Sequence, residues 1–345
     1  MKKLTALFLI LFLFSSIKAQ TLEETLGVLS GDAGTAYIGP LGSGFGSNMN
    51  SGWFKGVPEA TIFSFDVRIN ITASATMFSD ENKTFSASGN FHFSNAQAHE
   101  ILTNSGINSS HPAYNSTKNA LLNQQFSVGI AGPTILGSKE ENVVVNFPAQ
   151  TVNGQSLLGV EIETPAIGFL GDLSLFPTPM IQGDIGTIYG TSASFRFFPE
   201  IDAGDIGKVG LFGFGIMHNP GMWFPNPLPI DLGVGFFTQT LKAGDVFESK
   251  STQMGIFASK QFGAIISITP YFGLTTESST TTVKYDYTYD TPVGSVTTPL
   301  EFELEGENGI GITVGADIQL VFLNIFVDYK MATYNTASAG ISFGF

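Results

Sequence analysis

The sequence predicts an all-β fold, a transmembrane antiparallel β-barrel of about 12–16 strands, and three observations support this prediction. Residues 335–345 alternate strictly between apolar and small polar side chains, which is the period of a strand with one apolar face. Only 13% of the residues are charged, beside 40 Gly and 32 Phe, whereas a soluble domain averages about 25% charged residues. Beyond the N-terminus, no apolar run reaches the length of about eighteen residues that a membrane helix needs.

Residues 1–19 have the organisation of a cleaved signal peptide. Lys2 and Lys3 precede an apolar run over residues 4–14, and small residues lead to Ala19. The run is too short to span a membrane as a helix. We therefore expect cleavage after Ala19, export through the inner membrane and a location in the outer membrane.

Residues 20–60 form a Gly-rich segment without a strand period. Residues 22–30 have the pattern of a short helix, and residues 31–52 read as a loop because glycine tolerates most backbone conformations. The sequence leaves two alternatives open for this segment, a plug inside the barrel and a flexible arm outside it.

Residues 61–345 are predicted to form the barrel, because strand-like alternation begins at Thr61 and recurs to the end of the chain. The short turns at residues 261–263 and 321–322, and the longer link 218–229, are expected on the periplasmic side. Residues 275–307 are expected as an outer loop. Residues 95–124 are polar and read as another long loop, with one helical turn near residues 118–125. The alternative architecture is a soluble β-sandwich or propeller, which would carry more charge on its outer face.

The chain ends on an aromatic residue, with Ile341, Phe343 and Phe345 on one face of the last predicted strand. This pattern resembles the C-terminal signal of Gram-negative outer-membrane barrels, which the barrel-assembly machinery reads. The resemblance implies three partners: that machinery, outer-membrane lipid and lipopolysaccharide.

Residues 36–54, 179–201 and 213–235 carry a wider resemblance. They resemble an uncharacterised family of Gram-negative outer-membrane β-barrel proteins, which is distantly similar to the outer-membrane long-chain fatty-acid transporters. Those transporters are monomeric barrels whose N-terminal plug carries an Asn-Pro-Ala signature. At the corresponding place this chain has Ser-Asn-Met-Asn over residues 47–50, so the resemblance does not imply fatty-acid specificity. It leaves a small hydrophobic ligand as an expectation.

Both arginines of the chain lie on the polar faces of predicted strands. An arginine turned to lipid at mid-depth costs about 2–4 kcal/mol, so we expect both in the lumen. One interpretation is a constriction that selects solutes or binds a carboxylate; the other is an ion-pair ladder joining strands. The lumenal candidates are Asp66, Arg68, Asp184, Arg196, Asp231, Asp317 and Asp328.

Several kinds of site find no support in the sequence. The histidines at positions 92, 99, 111 and 218 share no metal-binding spacing, and no nucleophile motif such as G-x-S-x-G occurs. We therefore expect no catalytic residue, no metal and no cofactor. A formal net charge of −14 argues against nucleic acid as a partner, because phosphates require Lys and Arg.

The first functional hypothesis is a passive conduit or binding barrel for small, hydrophobic molecules, without catalysis. The alternative is a structural or scaffold barrel that serves surface assembly or secretion without transport. In the alternative, the working surface would be the loops at residues 95–124 and 275–308.

Overall fold

The computed structural model describes residues 32–63, 67–91, 93–138, 140–164, 171, 174–202, 207–226, 228–291 and 294–344. The helices are α1 (Asp32–Met49), α2 (Asn95–Asn104) and α3 (Tyr114–Asn123), with short 3-10 helices at Asp80–Lys83 and Pro220–Trp223. The strands are β1 (Val67–Met77), β2 (Thr84–Phe91), β3 (Phe126–Pro133), β4 (Val143–Phe147), β5 (Gln150–Val152), β6 (Gln155–Leu157), β7 (Val160–Thr164), β8 (Leu175–Ile188), β9 (Thr191–Asp202), β10 (Lys208–His218), β11 (Asp231–Ala243), β12 (Phe247–Ser259), β13 (Phe262–Gly263), β14 (Ile266–Thr291), β15 (Gly294–Glu305), β16 (Ile310–Leu320), β17 (Leu323–Met331) and β18 (Thr336–Gly344). In this part of the chain, no helix has both the length and the apolar character needed to cross a membrane.

Within the described residues, ten strands close into an antiparallel barrel. Strands β8 to β12 pair in chain order, β12 pairs with β14, and β14, β16, β17 and β18 follow in turn. The ring closes through β1, which pairs with β8 on one side and with β18 on the other. The predicted all-β barrel is confirmed.

The predicted number of about 12–16 barrel strands was too high. Residues 84–93, 142–147 and 157–163 alternate in the sequence like spanning strands. In the structure, however, β2, β3, β4 and β7 form a separate four-stranded sheet. Alternation reports only that one face of a strand is buried, and it does not report which sheet buries it.

Side chains of the barrel strands alternate between an apolar outer face and a polar inner face. On β1, Ile69 and Ile71 are exposed, whereas Asn70 and Thr72 are buried. On β18, Phe343 is exposed on the outer face. Successive residues of a strand point to opposite sides, so this polarity follows directly from the two-residue period of the sequence.

The two ends of the barrel differ in their connections. At one end, which we call the short-turn end, lie residues 189–190, 219–230, 260–265 and 321–322. At the other, the long-loop end, residues 78–174 separate β1 from β8, and β14 continues past the barrel to pair with β15. The predicted grouping of short turns at one end is confirmed, but the prediction of residues 275–307 as a loop was wrong. Most of these residues belong to β14 and β15, and residues 275–283 still pair with β12 in the barrel wall.

A folded cap covers the long-loop end. Strands β2, β3, β4 and β7 and helices α2 and α3 enclose an apolar core that includes Ile101, Leu121 and Phe147. The prediction of a polar loop over residues 95–124 was therefore wrong. The sequence does carry a helix signal there, because Ser94 and Gln97 form a capping box at the start of α2.

Residues 32–63, which we call the lumenal segment, run through the barrel from one end to the other. Helix α1 starts at the long-loop end, where Tyr37 is buried in the apolar core of the cap. Beyond α1, Trp53 and Phe54 are buried among side chains of β10 to β14. Phe63 then bridges Ile188 at the short-turn end, and the chain continues towards β1.

Residues 32–49 are helical, so the prediction of a loop over residues 31–52 was wrong. Glycine disfavours helix by about 1 kcal/mol per residue in water, but here the wall leaves no room for side chains. A Cβ on Gly44 would lie 2.5 Å from the Phe78 ring, and one on Gly42 would lie 3.0 Å from Leu304. Close packing against the wall thus compensates for the weak helix propensity.

The substitution Gly44→Ala is expected to lower the free energy of unfolding by about 1–3 kcal/mol, because the Phe78 ring must move. Gly39→Ala is the matched control, since a Cβ at Gly39 meets nothing within 4 Å in the same helix. The control should leave stability unchanged or raise it by up to about 1 kcal/mol. Urea titration of the refolded protein in lipid vesicles measures both; equal effects of the two substitutions would contradict the packing role.

Candidate functional site in the barrel lumen

Arg196 on β9 holds the end of α1. Its guanidinium donates hydrogen bonds to the carbonyls of Met49 (3.0 Å) and Ser51 (2.7 Å), and lies 3.8 Å from the centre of the Trp53 ring. It also donates to the side-chain oxygen of Gln182 at 3.0 Å. Arg196 is fully buried. Positive charge at the C-terminal carbonyls complements the helix dipole, so these contacts fasten the lumenal segment to the wall.

Lys330 on β17 holds α1 from another strand of the wall. Its ammonium donates to the carbonyl of Ser47 at 3.0 Å and pairs with the Glu277 carboxylate at 2.8 Å. Both side chains are buried, at 2% and 0% exposure. A buried ammonium requires such a partner, so β14 and β17 together supply a second fastening point.

Neutral side chains complete the attachment of the lumenal segment. Asn48 donates to Thr178 Oγ1 at 2.9 Å and accepts from Thr76 Oγ1 at 2.8 Å. Ser47 Oγ lies 2.7 Å from Thr336 Oγ1. These contacts reach β8, β1 and β18. Together with Arg196 and Lys330 they form a polar latch, which we define as Arg196, Glu277 and Lys330 with the neutral contacts of Ser47 and Asn48.

An aromatic layer lies beyond the latch, towards the short-turn end. Trp53 packs against Phe237 at 5.2 Å between ring centres, and Phe54 packs against Phe257 at 4.3 Å. Tyr271 completes the layer. The lumenal segment and the wall therefore share a small apolar core, which fills this level of the lumen.

A cavity of about 170 Å³ lies between this layer and the short-turn end. Its lining includes Lys55, Arg68, Asp184 and Asp317, and its rim includes the exposed Glu59. The Lys55 ammonium is buried and lies 4.7 Å from the centre of the Phe326 ring.

The structure brings most of the predicted lumenal candidates to this cavity. Asp184 accepts hydrogen bonds from Asn70 at 2.6 Å and from Gln182 at 2.7 Å. Asp317 accepts from Asn324 at 2.5 Å, and Asp328 accepts from Tyr271 at 3.1 Å. The candidates Arg68, Asp184 and Asp317 thus line the cavity, and Asp328 lies beside it, next to Tyr271 of the aromatic layer.

The remaining candidates lie elsewhere. Asp231 is at the short-turn rim, where Asn219 donates to it at 3.2 Å. Asp66 and Phe345 lie outside the described residues. For Arg196, the ion-pair ladder is not what the structure shows, because no carboxylate in the described part of the chain lies within ion-pair distance; carbonyl and amide oxygens surround it instead.

Three lumenal residues were missed by the sequence reasoning. Lys330 lies on the polar face of β17, two residues after Asp328, and the alternation alone would have placed it in the lumen. Glu277 lies in a stretch read as an outer loop, and Lys55 lies in the Gly-rich segment. Nothing local in the sequence marks either of these as lumenal.

Metal-ligating side chains do not gather in the part of the chain that is described. No group of three or more His, Asp or Glu residues there could hold a metal ion. His218, for example, contacts Thr191 Oγ1 at 2.9 Å and accepts from the Trp223 indole at 3.1 Å. Both of its ring nitrogens therefore already have hydrogen-bond partners at the short-turn end.

Comparison with known proteins identifies a family and some distant structural similarities. The sequence profile of a family of unknown function (DUF6588) matches residues 1–345. No curated protein matches the chain. The chain is 8% identical to the transport unit of the autotransporter AIDA-I from Escherichia coli, over 88% of this chain and 97% of that one, with a TM-score of 0.25.

Two further solved structures are similar at the same level. One is a loop-deletion mutant of OmpT, an outer membrane protein of Vibrio cholerae, at 8% identity over 82% of this chain and 98% of that one, with a TM-score of 0.24. The other is Ail, the attachment invasion locus protein of Yersinia pestis, at 8% identity over 45% and 96%, with a TM-score of 0.21. TM-scores this low do not support a common fold or function. The assignment of a barrel depends only on the strand pairing within this chain.

Proposed function

Because the chain belongs along its whole length to DUF6588, a family of unknown function, we propose a function from the lumen itself. The protein is an integral outer-membrane barrel that acts as a gated conduit for small solutes, and the lumenal segment closes it. The observation that carries this proposal is the polar latch. It holds the segment through hydrogen bonds from Arg196 and Lys330, and an ion pair with Glu277 on the wall fixes Lys330.

The outer face supports a position in a membrane. Large apolar side chains such as Ile312, Val314 and Ile318 are exposed on the outer face of β16. Eleven residues of β16, at about 3.3 Å per residue and a tilt of about 40°, cover about 28 Å, close to the apolar band of about 25 Å in such barrels. Trp223 and Phe322 are exposed at the short-turn end, where an interfacial aromatic girdle would lie.

The inner face supports a conduit for polar solutes. The lumenal segment crosses the barrel as a helix and an irregular stretch rather than as a strand of the wall, so its displacement would break no barrel pairing. Wall positions beside it are polar, as at Asn70, Gln182 and Gln239. This lining favours polar solutes, whereas the sequence had suggested a small hydrophobic molecule.

A second candidate function is the scaffold barrel, and the folded cap favours it. The cap has its own apolar core, which includes Phe93, Leu102 and Val145. A conduit does not require a folded cap of this kind, whereas binding surfaces are often loops held in place by such a scaffold. The test below separates the two functions.

A disulfide between the lumenal segment and the wall tests the conduit. The chain has no Cys, so the pair Ser47→Cys and Thr336→Cys introduces the only thiols, at positions whose hydroxyl oxygens lie 2.7 Å apart. We expect the oxidised protein to show no conductance in planar bilayers. A reductant should restore opening, because the segment is then held only by the polar latch.

The matched control crosslinks the wall to itself. Ser74→Cys with Ser338→Cys joins β1 to β18, where the hydroxyl oxygens lie 3.0 Å apart, and its conductance should be the same oxidised and reduced. Equal conductance of the oxidised and reduced Ser47–Thr336 variant would contradict gating by the segment. Silence of every variant, with heat-modifiable gel migration showing a folded barrel, would contradict the conduit and favour the scaffold.

A further inference from the structure

We propose that the wall facing Lys55 is a binding site for small organic cations, primary alkylammonium ions above all, and that Lys55 occupies it as an internal substitute. The inference rests on the proposed conduit, because the organic cation would be the solute that the conduit carries. The binding itself depends only on the wall and can be measured without any conductance.

The position of Lys55 is the first observation. Its ammonium lies over the face of Phe326 at 4.7 Å from the ring centre, in the geometry of a cation–π contact. The side chain is buried, yet its nitrogen donates no hydrogen bond to any described residue. An ammonium has three N–H donors, and here none of them bonds to a described residue. The contact with the Phe326 ring and the nearby carboxylates therefore account for its position.

Unused acceptors on the wall are the second observation. One carboxylate oxygen of Asp317 and the amide oxygen of Asn70 are buried and receive no hydrogen bond from described residues, and the second oxygen of Asp328 has only the Ser338 hydroxyl close to it. The other oxygen of Asp317 accepts from Asn324, and that of Asp328 accepts from Tyr271. These second contacts fix both carboxylates, so the free oxygens are held in place on adjoining strands.

The composition of the wall selects the ligand class. Fixed carboxylate oxygens combined with an aromatic face recognise an organic ammonium, whose three donors and alkyl stem match them. An anion would meet the carboxylates of Asp184, Asp317 and Asp328, which outnumber the two cations near Lys55, Arg68 in the cavity lining and Arg196 above it in the lumen. The side chain of lysine is itself an n-butylammonium group, so Lys55 already shows the ligand that the wall accepts.

A route to this wall exists at the short-turn end. The cavity of about 170 Å³ is lined by Lys55, Asp184 and Asp317, and its rim includes the exposed Glu59 and Gln261. A small cation entering from that end reaches the carboxylates without crossing the polar latch. The site is therefore open to a test in which the lumenal segment stays in place.

Chemical rescue of the full-length Lys55→Ala variant tests the proposal. We expect the variant to melt at a lower temperature than the unsubstituted protein, and n-butylammonium chloride to raise its Tm saturably, with half-saturation in the millimolar range. n-Butanol, which lacks the charge, should not raise the Tm. The unsubstituted protein should not respond to n-butylammonium, because Lys55 occupies the site.

The double variant Lys55→Ala with Asp328→Asn is the matched control, and it should lose the rescue. If Lys55→Ala fails to fold, the yield of heat-modifiable barrel on refolding with and without n-butylammonium gives the same information. Absence of rescue in both measurements, or equal rescue by n-butanol, would overturn the proposal. Rescue in a protein that never conducts would support the cation site and contradict only the conduit.

Discussion

Replacing Arg196 by methionine is expected to lower the free energy of unfolding by about 3–5 kcal/mol and to open the lumen to ions. The guanidinium donates to the Ser51 carbonyl and to Gln182 Oε1, and both would lose this donor. The Met49 carbonyl would keep Trp53 and Gln239 as donors. Each buried polar group left unsatisfied costs about 1–3 kcal/mol. Methionine is unbranched and fills much of the space, so a cavity would not account for the loss.

Urea titration followed by tryptophan fluorescence measures the first effect, because Trp53 packs on Arg196 and donates to the Met49 carbonyl at 3.1 Å. Planar-bilayer conductance measures the second. The control is Lys208→Met, which removes an exposed cation at the long-loop end of β10. It should change neither the free energy of unfolding nor the conductance. An Arg196→Met protein as stable and as closed as the unsubstituted one would show that Arg196 does not hold the segment.

The second large effect is expected at the buried pair of Lys330 and Glu277. Lys330→Met leaves the Glu277 carboxylate buried without its cation, and should lower the free energy of unfolding by about 3–5 kcal/mol. Adding Glu277→Met removes that orphaned charge. The double variant should therefore be more stable than Lys330→Met alone. It should lose only about 1 kcal/mol for the missing hydrogen bond, because the Ser47 carbonyl still accepts from the Ser51 hydroxyl at 2.7 Å.

A double-mutant cycle by urea titration measures this coupling. Lys284 and Glu301 form an exposed pair at 3.3 Å, and the same cycle there should give less than about 1 kcal/mol of coupling. If the losses of stability from the two single substitutions simply add, the charges of Lys330 and Glu277 do not interact in the folded protein. That result would contradict the buried ion pair described here.

The sequence could predict the barrel and the direction of its side chains, because both depend on a local two-residue period. Ile69 and Asn70 already show which face is apolar, before any partner strand is known. The number of barrel strands could not be predicted in this way. The strands of the cap alternate like β1, and only long-range pairing assigns them to a different sheet.

The lumenal contacts could not be predicted, for two physical reasons. Helix α1 contains glycines at positions 42, 44 and 46 and a proline at position 40, so local propensity opposes it and only burial stabilises it. The partners of Arg196 in the lumenal segment are main-chain carbonyls, which every residue carries, so no residue type in the sequence marks them. Carboxylates were the expected partners of Arg196 because Asp and Glu can be recognised in the sequence, whereas main-chain carbonyls cannot.

Helix α1 belongs to two parts of the molecule at once. Its first turns are buried in the apolar core of the cap through Ala33 and Tyr37, and its last carbonyls are held by Arg196 and Lys330. Eighteen residues at about 1.5 Å per residue make a rod about 27 Å long. We therefore expect a shift of the cap to move the latch residues with it, so that a load on the long-loop end would reach the lumen.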